Sequence, residues 1–152
     1  MRIVLIAVGR CRDPSINALV ADYARRCPWP IDTVEVVAKP NIPPARLREE
    51  EGRLLLAALP PDAAAVALDE RGREMDSIAF ANMLGGWRDG GRRAVALLIG
   101  GADGLSDQVR SRADIVLALG RMTWPHMLVR AMLAEQVYRA GTILAGHPYH
   151  RA

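Results

Sequence analysis

An α/β fold, with a mainly parallel sheet and helices on both faces, is what this sequence predicts. Three observations carry that prediction. Apolar runs of strand length alternate with helical patterns about five times along the 152 residues. The third to fifth runs are unbroken rather than alternating, as in strands buried on both faces. Hydrophobic residues make up 51% and charged residues 24% of the chain, which suits one domain with a packed core, spanning residues 1–152.

The first run, residues 3–8, starts directly as a strand. Its apolar stretch of about six residues is too short for a secretion signal or a membrane span. Asp13 then reads as an N-cap with Pro14 at the first helical position, and Ile16, Leu19, Val20 and Tyr23 follow at helical spacing. Pro28 and Pro30 end that helix. Residues 31–37 alternate and predict a strand nearer an edge. Pro40, Pro43 and Pro44 mark a loop, and residues 46–59 a helix with Leu47, Leu54, Leu55 and Ala58 on one face. Residues 63–68 are the third strand, 69–76 a polar turn, and 77–87 a helix closed by Gly90-Gly91. Residues 94–99 form the most apolar strand. A glycine-rich turn (100–105) and a short helix (106–112) follow, and residues 115–119 are the fifth strand. After a loop at 120–124, Pro125 opens a long helix to Tyr138 or Ala140, and the last dozen residues form a tail.

The net charge is +3, compatible with an RNA partner without requiring one. Lys39 is the sole lysine among twenty basic residues, a bias that a GC-rich genome accounts for as readily as phosphate recognition does. Cys11 and Cys27 predict reduced thiols and a cytoplasmic setting rather than a disulfide framework.

Ligands of open parallel sheets bind outside the carboxyl ends of the strands. Here those ends are Leu68-Asp69, Ile99-Gly100-Gly101 and residues 119–124, so the chemistry is expected late in the chain. A dinucleotide-binding protein places its glycine loop after the first strand instead. The segment Gly100-Gly101-Ala102-Asp103-Gly104 reads either as a tight strand-to-helix turn or as a ligand cradle. Asp103 suits a cationic ligand such as a sulfonium, and equally the start of the following helix. Trp124 suits stacking on an adenine or simple packing. Arg130, Glu135 and Arg139 read as a solvated face of the last helix. Leu128, Met132, Leu133 and Val137 on its apolar side read as a subunit contact. The tail gathers His147, Tyr149, His150 and Arg151, groups that stack on a base, hold phosphate and move protons near neutral pH, or else fray into solvent. Two histidines without further ligands make no zinc site. No Gly-x-Ser-x-Gly elbow or hydrolase pair of carboxylates occurs.

The segments LLIGGADGLS, MTWPHMLVRAMLAEQVYRA and HPYHR, together with IVLIAVGR and ALDERGREMDSIAFA, resemble the bacterial ribosomal RNA large subunit methyltransferase H family of SPOUT methyltransferases. The resemblance spans nearly the whole chain. It implies a sheet whose C-terminal part is threaded into a deep trefoil knot, a feature otherwise nearly absent from proteins. It implies a homodimer that transfers methyl from S-adenosyl-L-methionine, without a metal, to N3 of a pseudouridine in 23S ribosomal RNA of assembled ribosomes. Donor contacts would fall on Leu68, Gly100, Leu119, Gly120, Arg121, Met122, Thr123 and Trp124. The tail residues Tyr149, His150 and Arg151 become catalytic or substrate-binding candidates. The chain departs from the family at Gly120, where serine is frequent. Two other classes stay open on the residues alone: a nucleotide-binding oxidoreductase, and a non-catalytic ribosome-associated RNA-binding module.

Overall fold

A computed structural model describes residues 1–151; Ala152, the end of the predicted tail, lies outside the described residues. Five strands, β1 (Arg2–Val8), β2 (Ile31–Val36), β3 (Ala64–Glu74), β4 (Ala94–Ile99) and β5 (Ile115–Ala118), alternate with helices among the described residues. These helices are α1 (Pro14–Arg26), α2 (Pro44–Ala57), α3 (Ser77–Asp89), α4 (Asp107–Arg112) and α5 (His126–Leu144). All strand pairs are parallel, in the order β2-β1-β4-β3-β5.

The sheet separates two cores because successive side chains on a strand point to opposite faces. Ile3, Leu5 and Ala7 of β1 join Val95, Leu97 and Ile99 of β4 against α1, α3 and α5. Val4, Ile6 and Val8 join Ala94, Ala96 and Leu98 against α2 and α4. Each large aliphatic side chain so removed from water contributes about 1.5–3 kcal/mol. The helices start where capping chemistry places them. Asp13 Oδ1 accepts from the Ser15 amide at 2.8 Å, and Asp76 Oδ1 from the Ala79 amide at 2.7 Å.

β2 is an edge strand, as its alternation predicts, with residues 32–35 exposed. β5 departs from expectation: it is the other edge, and Ile115 and Val116 are only half-buried. A larger difference concerns the predicted polar turn at 69–76. β3 does not stop at Leu68. Both Leu68 and Arg73 pair with Leu117, so residues 69–72 leave the ladder as a bulge and the strand resumes at Arg73. Gly72 makes this possible, since a Cβ there would lie 2.7 Å from the Leu117 carbonyl carbon.

α2 begins at Pro44, two residues earlier than predicted, and ends at Ala57. Pro125 is the N-cap of α5 rather than its first helical residue. α5 also runs beyond Ala140 to Leu144, because Ala140, Gly141 and Thr142 are buried and hold the extra turn in the core. Arg130, expected on a solvated face, is 2% exposed. It donates to Glu35 Oε1 at 2.6 Å and to the carbonyls of Val8 (3.0 Å) and Gly9 (2.7 Å), joining α5 to the carboxyl ends of β1 and β2. Leu133 and Val137, expected at a subunit contact, lie in the chain's own core.

Candidate active site

In the sheet β3 lies between β4 and β5, so its bulge after Leu68 lies beside the carboxyl ends of both neighbours. A cavity of about 410 Å³ opens there, within the range of small-molecule sites. Its walls are Leu68 and the bulge residues Asp69, Glu70 and Arg71; the turn from Ile99 to Leu105; and Leu119, Gly120 and residues 122–126. Of the residues expected to hold a donor, Leu68, Gly100, Leu119, Gly120, Met122, Thr123 and Trp124 meet in this wall. Arg121 is exposed and lies outside it.

Local chemistry shapes each wall. In the glycine turn the Gly104 amide donates to the Gly101 carbonyl at 3.1 Å, and Gly104 takes φ +75°, a conformation costly for other residues. Ser106, not Asp103, then caps α4, while Asp103 stays exposed at the cavity. Behind this turn, burial and then the neighbouring Asp103 push the Glu51 carboxyl up. In the loop after β5 the Trp124 indole N–H donates to the Leu119 carbonyl at 3.0 Å, closing residues 119–124 on themselves.

The bulge supplies polar groups that sequence reasoning missed. The Asp69 side chain is only 6% exposed. It accepts from the Arg71 amide (2.9 Å), Arg71 Nε (3.2 Å) and Arg110 Nη1 (2.9 Å). Burial works to raise this carboxyl, but the hydrogen bonds from Arg71 and Arg110 outweigh it and hold the group below its ordinary value. Arg110 Nη1 also donates to the Leu105 carbonyl at 2.6 Å, and Arg110 pairs with Asp107. Glu70 Oε2 accepts from Thr123 Oγ1 at 3.3 Å. The one sequence signal for this arrangement is Gly72 inside a segment flanked by strand residues.

The tail is not frayed, and it is not at the cavity. Tyr149 packs edge-on against Tyr138 with ring centroids 4.8 Å apart, and its hydroxyl donates to Glu135 Oε1 at 3.2 Å. Arg139 binds the same carboxylate oxygen through Nε (2.9 Å) and Nη2 (2.6 Å), lies over the Tyr149 ring, and has Nη1 3.3 Å from His150 Nδ1. Burial, then Tyr23 and Glu135, push the Tyr149 hydroxyl up to about 12. Arg151 is exposed. From Val129 in the cavity wall to Arg139 beside the tail, α5 rises about 15 Å at about 1.5 Å per residue. Between them runs a groove of about 720 Å³, floored by Leu19, Leu128 and Met132 and reaching from Gly120 to Glu135.

Arg10 and Arg12 follow β1, Arg73 lies near the end of β3 and Arg121 follows β5, so four guanidiniums sit at this edge of the sheet. None has an ion-pair partner among the described residues. Among the described residues no group of three or more His, Cys, Asp or Glu side chains is placed to hold a metal ion. No helix among them is long and apolar enough to cross a membrane. Both cysteines are free.

Comparison with known proteins places this architecture. The chain is 56% identical over 152 residues, the full length of both, to the ribosomal RNA large subunit methyltransferase H of Rhodospirillum centenum. It is 52% identical over 99% of both chains to the protein of that name from Paramagnetospirillum magneticum. Among solved structures, a probable methyltransferase from Bordetella pertussis superposes with a TM-score of 0.58 at 16% identity, over 91% of this chain and 95% of that one. A probable methylase family protein from Haemophilus influenzae gives 0.55 at 10% identity, over 99% and 70%. At those identities the structures speak for the fold alone. The family model described as predicted SPOUT methyltransferase matches residues 1–150, and the chain therefore belongs to this family of knotted α/β methyltransferases.

Proposed function

We propose that this chain methylates large-subunit ribosomal RNA in the cytoplasm, using S-adenosylmethionine and acting at N3 of a pseudouridine on assembled ribosomes. One observation carries the reading. Leu68, Gly100, Leu119, Gly120, Met122, Thr123 and Trp124 line a single cavity, in a chain about half identical to ribosomal RNA large subunit methyltransferases over its full length. The wall fits the donor: the volume suits a nucleoside, the turns offer backbone groups, and Asp103 sets negative charge at the rim beside a sulfonium. The oxidoreductase alternative expects its site after the first strand, whereas this cavity lies at β3, β4 and β5.

When bound, S-adenosylmethionine supplies an electrophilic methyl group. The chain's part is positioning, with the β3 bulge and the turns after β4 and β5 gripping the nucleoside and aiming the methyl outward. The base must give up its N3 proton as the methyl arrives, and His150 is the proposed acceptor. Tyr149, its hydroxyl held protonated and donating to Glu135, orients the tail beside it. Arg151 grips a phosphate or steadies developing negative charge. Because the tail docks far along α5 from its own cavity, a homodimer in which one subunit's tail completes the other's site suits this geometry. The guanidiniums of Arg10, Arg12, Arg73 and Arg121 then flank the cavity for RNA phosphates, doubled in a dimer. The whole 152-residue chain acts here as one domain.

The test is transfer of labelled methyl to ribosomes lacking the modification, followed by mass spectrometry of the digested RNA. One methylated pseudouridine is expected. Label on no nucleotide, or equally fast methylation of a short free hairpin, contradicts the proposal.

A further inference from the structure

We infer that the β3 bulge sets the spacing of the two donor-binding turns, with Asp69, Glu70 and Arg110 as positioning residues; this rests on the donor reading above. The turn after β4 and the loop after β5 form opposite walls of the cavity, yet β4 and β5 are not neighbours, since β3 runs between them. No strand ladder joins the two walls directly. β3 is the element in register with both, and it departs from the ladder at their level.

The extruded residues reach to each side. Asp69 accepts from Arg110 Nη1 at 2.9 Å, and the same nitrogen donates to the Leu105 carbonyl at 2.6 Å, which fixes the end of the glycine turn. On the other side Glu70 accepts from Thr123 Oγ1 at 3.3 Å, which ties down the loop after β5. Gly72 returns the chain to the ladder by lying against the backbone of Val116 and Leu117. Side-chain exposures of 6% for Asp69 and 20% for Arg110 place this pair in the wall rather than on the surface. For stability alone an apolar pair of similar volume serves as well as such an ion pair. What the charged pair adds is a fixed separation between the walls, and small misplacements of a binding wall are costly.

Calorimetric titration of S-adenosylmethionine into the full-length parent and into the variants Asp69→Asn, Arg110→Met, Arg110→Lys and Glu70→Gln tests this, with melting temperatures and steady-state kinetics alongside. Asp69→Asn and Arg110→Met are expected to weaken donor binding about tenfold or more. Arg110→Lys recovers most of the affinity, because both wall contacts come from Nη1 and an ammonium near that point replaces them. Glu70→Gln, on the exposed rim, weakens binding about threefold while melting with the parent. KM for the donor rises in each case, whereas kcat at saturating donor and KM for the ribosome stay within about twofold. Donor affinity within about twofold of the parent in all folded variants overturns the inference, as does a fall in kcat with donor affinity unchanged. Should Asp69→Asn and Arg110→Met not fold, Glu70→Gln decides by the same criteria. A parent that binds no donor overturns the donor reading and this inference together; a parent that binds, with variants that bind equally, overturns this one alone.

Discussion

Replacing Arg130 with methionine tests how α5 is held against the sheet. The side chain is 2% exposed and makes three contacts: Glu35 Oε1 at 2.6 Å, the Gly9 carbonyl at 2.7 Å and the Val8 carbonyl at 3.0 Å. Methionine keeps most of the volume and removes the charge. Breaking a fully buried pair from one side costs about 3–5 kcal/mol. The Glu35 side chain is 33% exposed and turns to water once released, which lowers the cost. The two carbonyls lose donors at about 1 kcal/mol each. The expected loss is about 3 kcal/mol, or about 6–12 °C in melting temperature at this chain length. Urea unfolding followed by circular dichroism gives the free energy, and the double variant with Glu35→Gln gives the coupling, expected at about 1–2 kcal/mol. A loss under about 1 kcal/mol, or no coupling, would show that Arg130 does not hold α5 against the sheet.

Acid titration is expected to show Glu35 separately. The Cys11 amide at 2.8 Å, and then Arg130, hold its carboxyl below the ordinary value, against a cost of desolvation. A depressed carboxylate contributes stability that is present above its unfolded value of about 4.3 and lost as pH falls through the folded value. The parent should therefore lose melting temperature faster than Glu35→Gln between about pH 5 and pH 3; parallel curves count against it. Gly72→Ala places a methyl 2.7–2.8 Å from the backbone of Leu117 and Val116 and should cost about 1–3 kcal/mol by thermal melting. Gly120→Ser meets open space but a φ of +93°, and is expected to cost about 1–2 kcal/mol. His150→Ala should cut single-turnover methylation about 100-fold and Tyr149→Phe about tenfold, with donor affinity unchanged; parent-like rates would remove these residues from the mechanism.

Much of the architecture was legible because local chemistry and burial agree. Asp13-Pro14 marks the start of α1, and the unbroken run of β4 is the centre of the sheet. The three segments expected to carry the ligand do meet at one cavity, although Leu68 precedes a bulge rather than the end of β3 and Arg121 lies outside the wall. What escaped depends on contacts between distant segments. The sequence Asp69-Glu70-Arg71 has the composition of a surface turn, and its role as a bulge follows from partners 41 and 53 residues away. Arg130 looks solvated on a helix that also carries Glu135 and Arg139, because its partner Glu35 is 95 residues distant. Helical spacing could not separate Leu128 and Met132, which floor an open groove, from Leu133 and Val137, which fill the core. The tail's place on α5 rests on the Glu135–Tyr149 contact, whose partners carry no mutual signal in a single sequence.

The decisive measurement is a crystal structure of the chain with S-adenosylmethionine bound. The nucleoside is expected between Leu68, Gly100 and the loop after β5, with its sulfonium beside Asp103. The ligand seated in the groove along α5, or absent from the cavity at saturating concentration, would contradict it.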